Sequence, residues 1–490
     1  MKELILLFPE ILLALTIIAI VLSELSYHGE RTRLVNMIAF FSLGAALIQT
    51  LLTYRYGATQ IFNRAYSIDG LSLFFKLLAM ILAAVSLLGA LQSKEIRDAQ
   101  RSEFVAHVLA STLAVCVAVS ASDLILVFMA LQLLSLVTYF LASFSTNSSQ
   151  SIEAGFKHWV FSGISAVFFL FAVAILFAAT HSVNIHQIHE ALVAQPLTRG
   201  ANWVVFGLLF FSLAFYVGAF PMHLWAPDVL EGAPTPVSGF LAMSMRIAGF
   251  VVSLRCLLVI FSQPGADAGQ WKILGAIDWT AIVAGVSGAS LLFGSVLALV
   301  QESSKRMLAY LLVAQSGLMF LGAIVLDRVG ISAVLFSIVS ELIAVIGAFY
   351  MLSFLVDRLG SDRLSDFKGV LGSAVYECVA LVLFLASLVG LPPLPGFISK
   401  FTLIGAAIRH HWYGLALLAV ISMAISIAAV ARLAYSLVGN YQNTEVTFSG
   451  EGQRTRISVI LLFLVPLLLC TVFAQSILDL ASRSLHFILW

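Results

Sequence analysis

Ionisable residues inside apolar sequence are where this chain could do chemistry. Lys400 follows a break in an apolar run at Leu391-Pro392-Pro393-Leu394-Pro395-Gly396-Phe397. Arg246 stands mid-way along another apolar run, Glu341 lies ten residues into a third, and Arg432 lies in a fourth. An ionisable group inside a membrane span costs about 3 kcal/mol on insertion scales and is a functional candidate by default. An ammonium in a low-dielectric cavity has its charged form disfavoured, which would let Lys400 take up and release protons at working pH. The bland alternative is a lysine snorkelling beside the break. Arginine stays charged in essentially any setting, so Arg246 is expected to fix an electrostatic field rather than relay a proton. Glu341 could pair with a cation or titrate. Asp123, Lys157, Lys76 and Glu10 lie nearer the ends of apolar runs, where snorkelling is a sufficient reading for most of them.

His223 sits in a second interruption, Pro221-Met222-His223-Leu224-Trp225-Ala226-Pro227-Asp228. It could titrate near neutrality or cap the broken helix, and the cap is the simpler reading. The sequence His181-Ser-Val-Asn-Ile-His186-Gln-Ile-His189 could suggest a metal, but no carboxylate or cysteine completes a set. A short interfacial helix accounts for it better.

The elements that must position these residues are apolar helices. The chain has 490 residues, of which 61% are hydrophobic and 10% charged. A soluble domain carries about 25% charged residues. The composition is that of an all-α polytopic membrane protein. A net charge of +1 offers no polyanion-binding signature, so nucleic acid is excluded as a partner. Cys116, Cys256, Cys378 and Cys470 are far apart and read as small buried hydrophobes.

At about 20 residues per span, the segments are 4–23, 34–54, 70–92, 104–121, 123–144, 155–180, 202–221, 234–262, 277–300, 306–326, 331–356, 373–391 (continuing brokenly to 408), 412–438 and 455–478. That makes fourteen. The connections are short and leave no soluble domain to house a nucleotide or an iron–sulfur cluster. Loops after odd-numbered segments carry twelve cations: Arg31, Arg33, Lys94, Arg97, Arg101, Lys305, Arg306, Arg358, Arg363, Lys368, Arg454 and Arg456. The other side carries eight: Lys2, Arg55, Arg64, Arg199, Lys272, Arg328, Arg409 and Arg483. This bias places odd loops in the cytoplasm and both termini on the outer, periplasmic side of the inner (plasma) membrane.

Breaks in segments seven and twelve lie five segments apart. They suggest two five-helix repeats related by inversion, with ion sites near the midplane of each. The expected division is a three-helix segment over 1–103, a first repeat over 104–262, a second over 277–438 and a terminal helix over 455–490.

The stretches IDGLSLFF (68–75), SIEAGFKHW (151–159), WAPDVLEGAPTPVSGFLA (225–242), QESSKRMLAY (301–310), LPPLPGFISKF (391–401) and ARLAYSL (431–437) are specific together. On them the chain resembles the antiporter-like membrane subunits of respiratory complex I, closest to the N-type subunit, over essentially its whole length. The resemblance implies a subunit that couples electron transfer to quinone with proton translocation and has no redox site of its own. Quinone and the iron–sulfur and flavin centres would belong to partner subunits. In that family each half is thought to move one proton. A glutamate in the fifth span neighbours a lysine at the seventh-span break. A lysine in the eighth span leads to a central hydrophilic axis, and another lies at the twelfth-span break.

This sequence departs from the family pattern. Gln132 occupies the glutamate position, Tyr216 the seventh-span lysine position and Arg246 the eighth-span lysine position. Gln315 stands where many relatives have histidine, and Glu341 is an acid where a neutral residue is expected. Lys400 is kept. Glutamine cannot ionise, and tyrosine with an ordinary pKa of about 10 is neutral, so the first half is expected to lack its charge switch. Lys400, Glu341, Arg246 and His223 remain as proton-path candidates. The alternatives are an Mrp-type cation/proton antiporter subunit and a membrane-bound hydrogenase or ferredoxin-driven relative. A self-sufficient antiporter would need the titratable residues that are missing.

Overall fold

The computed structural model describes residues 2–26, 32–91, 93, 95–97, 100–265, 267, 269–274, 278–438 and 453–485. Among the loop cations, Arg31 and Lys94 lie outside these residues, and only the backbone of Lys2, Arg454 and Arg456 is described.

In chain order the helices are α1 (Lys2–Leu6), α2 (Phe8–Ser26), α3 (Thr32–Thr53), α4 (Gly70–Ala90), α5 (Arg101–Ser120), α6 (Leu124–Ala142) and α7 (Ser149–Thr180). Then follow α8 (Ile185–Ala194), α9 (Arg199–Val217), α10 (Trp225–Gly232), α11 (Thr235–Arg255), α12 (Trp279–Val300), α13 (Ser304–Ile324) and α14 (Arg328–Leu359). The chain closes with α15 (Val375–Val389), α16 (Pro395–Arg409), α17 (Tyr413–Leu437), α18 (Gln453–Val472) and α19 (Ala474–Ser484). Two short antiparallel hairpins, β1 (Thr59–Ile61) with β2 (Tyr66–Ile68) and β3 (Ser262–Pro264) with β4 (Trp271–Ile273), cover one end.

Among the described residues eleven helices are long and apolar enough to cross a bilayer, or twelve if the bent pair Ile457–Val472 and Ala474–Ser484 is one span. The expected fourteen is not reached on that criterion. One reason is that segment twelve divides into α15 and α16, each 15 residues long. At about 1.5 Å per residue neither covers a hydrocarbon core of about 30 Å.

Helix starts follow short polar residues. Asp69 and Ser72 form a capping box on α4, and Asp123, Ser148, Asn184, Asp278 and Ser303 accept from the first-turn N–H groups of α6, α7, α8, α12 and α13. These bonds satisfy donors that a helix cannot satisfy itself. Asp123 is thus a cap. The stretch holding His186 and His189 is α8, a short amphipathic helix as expected. All four cysteines are free and buried.

The two breaks share one construction. α9 ends at Gly218 (φ 72°), whose N–H donates to the Ala214 and Phe215 carbonyls, and Ala219 N–H donates to Ala214. α15 ends at Gly390 (φ 90°), whose N–H donates to Ala386 and Ser387, and Leu391 N–H donates to Ala386. Glycine takes this left-handed conformation without penalty. Phe220-Pro221 and Pro392-Pro393 follow, both cis. Each helix therefore stops about three residues before the prolines that mark the break in the sequence. A proline has no N–H for the carbonyl four residues back.

The core is organised around α11 and α13. Every residue of α11 except Pro236 is buried. Loops after odd-numbered segments gather at one end of the bundle. There Lys305 Nζ donates to the Glu231 and Ala233 carbonyls, and Ser303 donates to Asp362. The other loops gather at the opposite end, where Asp123 pairs with Asn184, Gln270 with Asp327, and His410 with Asp327.

Candidate functional site

At the first break the two departures from the family pattern touch. Gln132 Nε2, on α6, lies 3.5 Å from the Tyr216 hydroxyl on α9. Ser135 Oγ donates to that hydroxyl at 3.1 Å, and the hydroxyl donates to the Leu131 carbonyl at 3.3 Å. Tyr216 is buried. α9 reaches α11 closely here because residue 249 is glycine: a Cβ on it would stand 2.4 Å from Tyr216 Cβ. The site is hydroxyls and an amide, with no charge.

His158 on α7 is a buried group that sequence reasoning passed over. It lies 3.0 Å from Thr138 Oγ1, packs against Phe215 and Trp225, and its Nδ1 has no partner among the described residues. Its position inside the SIEAGFKHW stretch was the available signal. His223 is also buried and stacks on Phe220. It does not cap α10, which starts at Trp225 and whose cap residue, Leu224, makes no side-chain bond; the His223 carbonyl accepts from Ala226 N–H instead.

Charge gathers where the two halves meet. Arg246 on α11 donates to the Leu312 carbonyl and lies 3.8 Å from Glu341 Oε2 on α14. Ser337 Oγ donates to Glu341 Oε1 at 2.9 Å, while Glu341 Oε2 has no hydrogen bond among the described residues. Lys400 on α16 donates to the Leu388 carbonyl, and the same oxygen accepts from Gln315 Nε2 at 2.9 Å. Arg246, Glu341, Gln315 and Lys400 are each at most 3% exposed. The fold thus gives Glu341 the cation, Arg246, that the sequence left open.

Other ionisable residues fall outside this centre. Arg432 donates to the Gln301 carbonyl at the odd-loop end, so its place is the membrane edge and not the interior. Lys157 pairs with Asp228 at 2.5 Å and Glu153 at 2.8 Å. Arg306 adds bonds to Asp228 at 2.7 Å and Glu231 at 2.9 Å. The snorkelling reading fails for Glu10 and Lys76. They form a buried ion pair at 2.7 Å, with the Tyr66 hydroxyl donating to the same carboxylate oxygen at 2.9 Å. A second buried pair, Asp69 with Arg255 at 2.8 Å, lies beside the hairpin end. Outside the spans, burial holds the His186 imidazole below its ordinary value, with Arg255 and Arg64 acting in the same direction.

A family model described as NADH:quinone oxidoreductase/Mrp antiporter, TM, matches residues 121–426. NADH-quinone oxidoreductase subunit N of Chlorobium chlorochromatii (strain CaD3) is 31% identical over 423 residues, spanning 86% of this chain and 82% of the relative. NAD(P)H-quinone oxidoreductase subunit 2 of Synechococcus sp. (strain CC9311) is 33% identical over 419 residues, spanning 86% and 78%. A chain of respiratory complex I from Thermus thermophilus with bound aureothin superposes with a TM-score of 0.77 at 26% identity, covering 97% of this chain and 99% of that one. With a match over more than half its length and such relatives across most of it, this chain belongs to the family of NADH:quinone oxidoreductase/Mrp antiporter transmembrane subunits, and among them it is similar to subunit N.

Proposed function

We propose that this chain is a non-redox membrane-arm subunit of a complex I-like quinone oxidoreductase, and that its second half carries the proton. The observation that carries the reading is the contrast between the two breaks. A neutral Gln132–Tyr216 contact stands at the first, whereas at the second Lys400 donates to a helix carbonyl, and Glu341 of the same half is buried and paired with Arg246. A carboxylate and an ammonium that can approach and part change each other's hold on a proton. An amide and a phenol cannot do this at neutral pH.

The reading takes the chain as fourteen spans, by adding Phe8–Ser26 and the broken pair Val375–Val389 with Pro395–Arg409 to the long apolar helices and the bent pair. It takes the matching Gly-plus-proline breaks as marks of two inverted five-helix repeats. Odd loops face the cytoplasm, both termini face outward, and the protein lies in the plasma membrane. Flavin, iron–sulfur centres and quinone are held by partner subunits. An Mrp-type antiporter is the second reading; a first half whose break pairs an amide with a phenol, in place of a carboxylate and an amine, speaks against it.

The test is the number of protons moved per electron pair in the assembled, reconstituted complex. Lys400→Met is expected to lower it, and Tyr216→Phe to leave it unchanged. A loss on Tyr216→Phe alone, with assembly intact, would refute the silent first half. Co-purification with subunits bearing iron–sulfur motifs separates this reading from the antiporter.

A further inference from the structure

In an unbroken helix the Leu388 carbonyl would accept from the N–H of residue 392. That residue is Pro392, which has no N–H. The break therefore leaves a carbonyl at membrane depth that lipid cannot satisfy. Two donors reach it, Gln315 Nε2 at 2.9 Å and Lys400 Nζ. A carbonyl oxygen has two lone pairs and holds both.

This sharing has a consequence for the lysine. With Lys400 as its single donor, the Leu388 carbonyl would be orphaned whenever the ammonium moved away, and a buried orphan acceptor is costly. With Gln315 in place the carbonyl keeps a bond. The second acceptor for the ammonium is Glu341 Oε2, which is buried, without a hydrogen bond among the described residues, and approached by Arg246 Nη1 only to 3.8 Å. The lysine stem has room because residue 390 is glycine; a Cβ there would stand 2.8 Å from Lys400 Cδ. The next residue of α13 plays the corresponding part at the first break. Pro221 leaves the Val217 carbonyl without its helical donor, and Ser316 Oγ donates to that carbonyl at 2.8 Å.

We propose that Gln315 is a positioning residue for Lys400, holding the Leu388 carbonyl so that the ammonium can leave it for Glu341. The residue is then more than a vacated histidine position. The proposal rests on the reading of Lys400 as the proton carrier.

The experiment is a double-mutant cycle in the reconstituted complex, reading protons per electron pair. Lys400→Met, Gln315→Met and the double variant are compared, with Gln315→His as the rescue because an imidazole N–H can donate. Assembly level and uncoupled electron transfer serve as controls. Gln315→Met is expected to lower the ratio, Gln315→His to restore it, and the double variant to fall no further than Lys400→Met. Should Gln315→Met fail to assemble, Gln315→Asn, which withdraws the amide by one methylene, takes its place with the same expectations. A full additional loss in the double variant makes Gln315 a structural residue and overturns the proposal, as does an unchanged ratio in Gln315→Met. If Lys400→Met itself changes nothing, the parent reading falls and takes the proposal with it. A loss in Lys400→Met without one in Gln315→Met removes the proposal alone.

Discussion

Gln132 Nε2 lies 3.5 Å from the Tyr216 hydroxyl, across the gap between α6 and α9. The contact brings together two neutral groups at the positions where the family resemblance places a carboxylate and an amine. Installing both charges, Gln132→Glu with Tyr216→Lys, is expected to raise the protons moved per electron pair above the wild-type value. Tyr216→Lys alone buries an ammonium without a partner, at a cost of about 3–5 kcal/mol, and is expected to lower the yield of assembled complex. Equal yields of the single and double variants would contradict this.

Arg246 and Glu341 are 3.8 Å apart and both buried. Glu341→Gln leaves the arginine without its counter-charge and is expected to cost about 3–5 kcal/mol. Replacing both with Met is expected to cost less than the sum of the single changes. Thermal unfolding of the purified complex reads both effects. Strict additivity would mean that the two charges do not depend on each other.

The ion pair Glu10–Lys76 lies outside the residues matched by the family model. Glu10→Gln is expected to destabilise the α2–α4 contact, while Glu10→Gln with Lys76→Met recovers most of the loss, because no charge is then left buried alone. Protease sensitivity of the N-terminal segment is the measurement. A double variant as sensitive as Glu10→Gln would show that the pair is not the cause.

Gly249 is the contact point of α11 on α9. A Cβ there meets Tyr216 Cβ at 2.4 Å and Val217 N at 3.0 Å, so backbone must move. Gly249→Ala is expected to destabilise by about 1–3 kcal/mol through overpacking. Gly44→Ala has open space and is the control; in mid-helix it is expected to be neutral or to stabilise by up to about 1 kcal/mol. Unfolding temperatures that shift equally would remove the packing argument.

His186 sits in α8 with its imidazole held below the ordinary 6.5 by burial first and by Arg255 and Arg64 second. In that window the unfolded chain binds a proton that the folded chain does not, so stability rises with pH there. The contribution is complete above 6.5 and is lost as pH falls from 6.5 towards the lowered folded value. Unfolding temperature followed from about pH 7.5 down to about pH 5.5, in steps of about half a unit across the range where histidine titrates, is expected to fall more steeply in wild type than in His186→Gln. Parallel curves would assign the dependence to other groups.

Much of this was legible along the chain. Apolar length gave the helices, Pro221 and Pro392-Pro393 marked both breaks within about three residues, and residue type alone showed Gln132 and Tyr216 to be uncharged. The sequence could also place Lys400 after a break, because the break and the lysine are neighbours in the chain. What it could not supply were partners. Glu10 finds Lys76, Arg246 finds Glu341, and Gln315 and Lys400 converge on the Leu388 carbonyl, through helices brought together by the fold. Helical periodicity tells which face of a segment is apolar, but in a membrane protein nearly every face is. The tertiary structure alone decides which buried charge meets which, because that depends on close approach between helices distant in sequence, and such approach is set by small residues such as Gly249 and Gly390 and by how carbonyls freed at the breaks are satisfied.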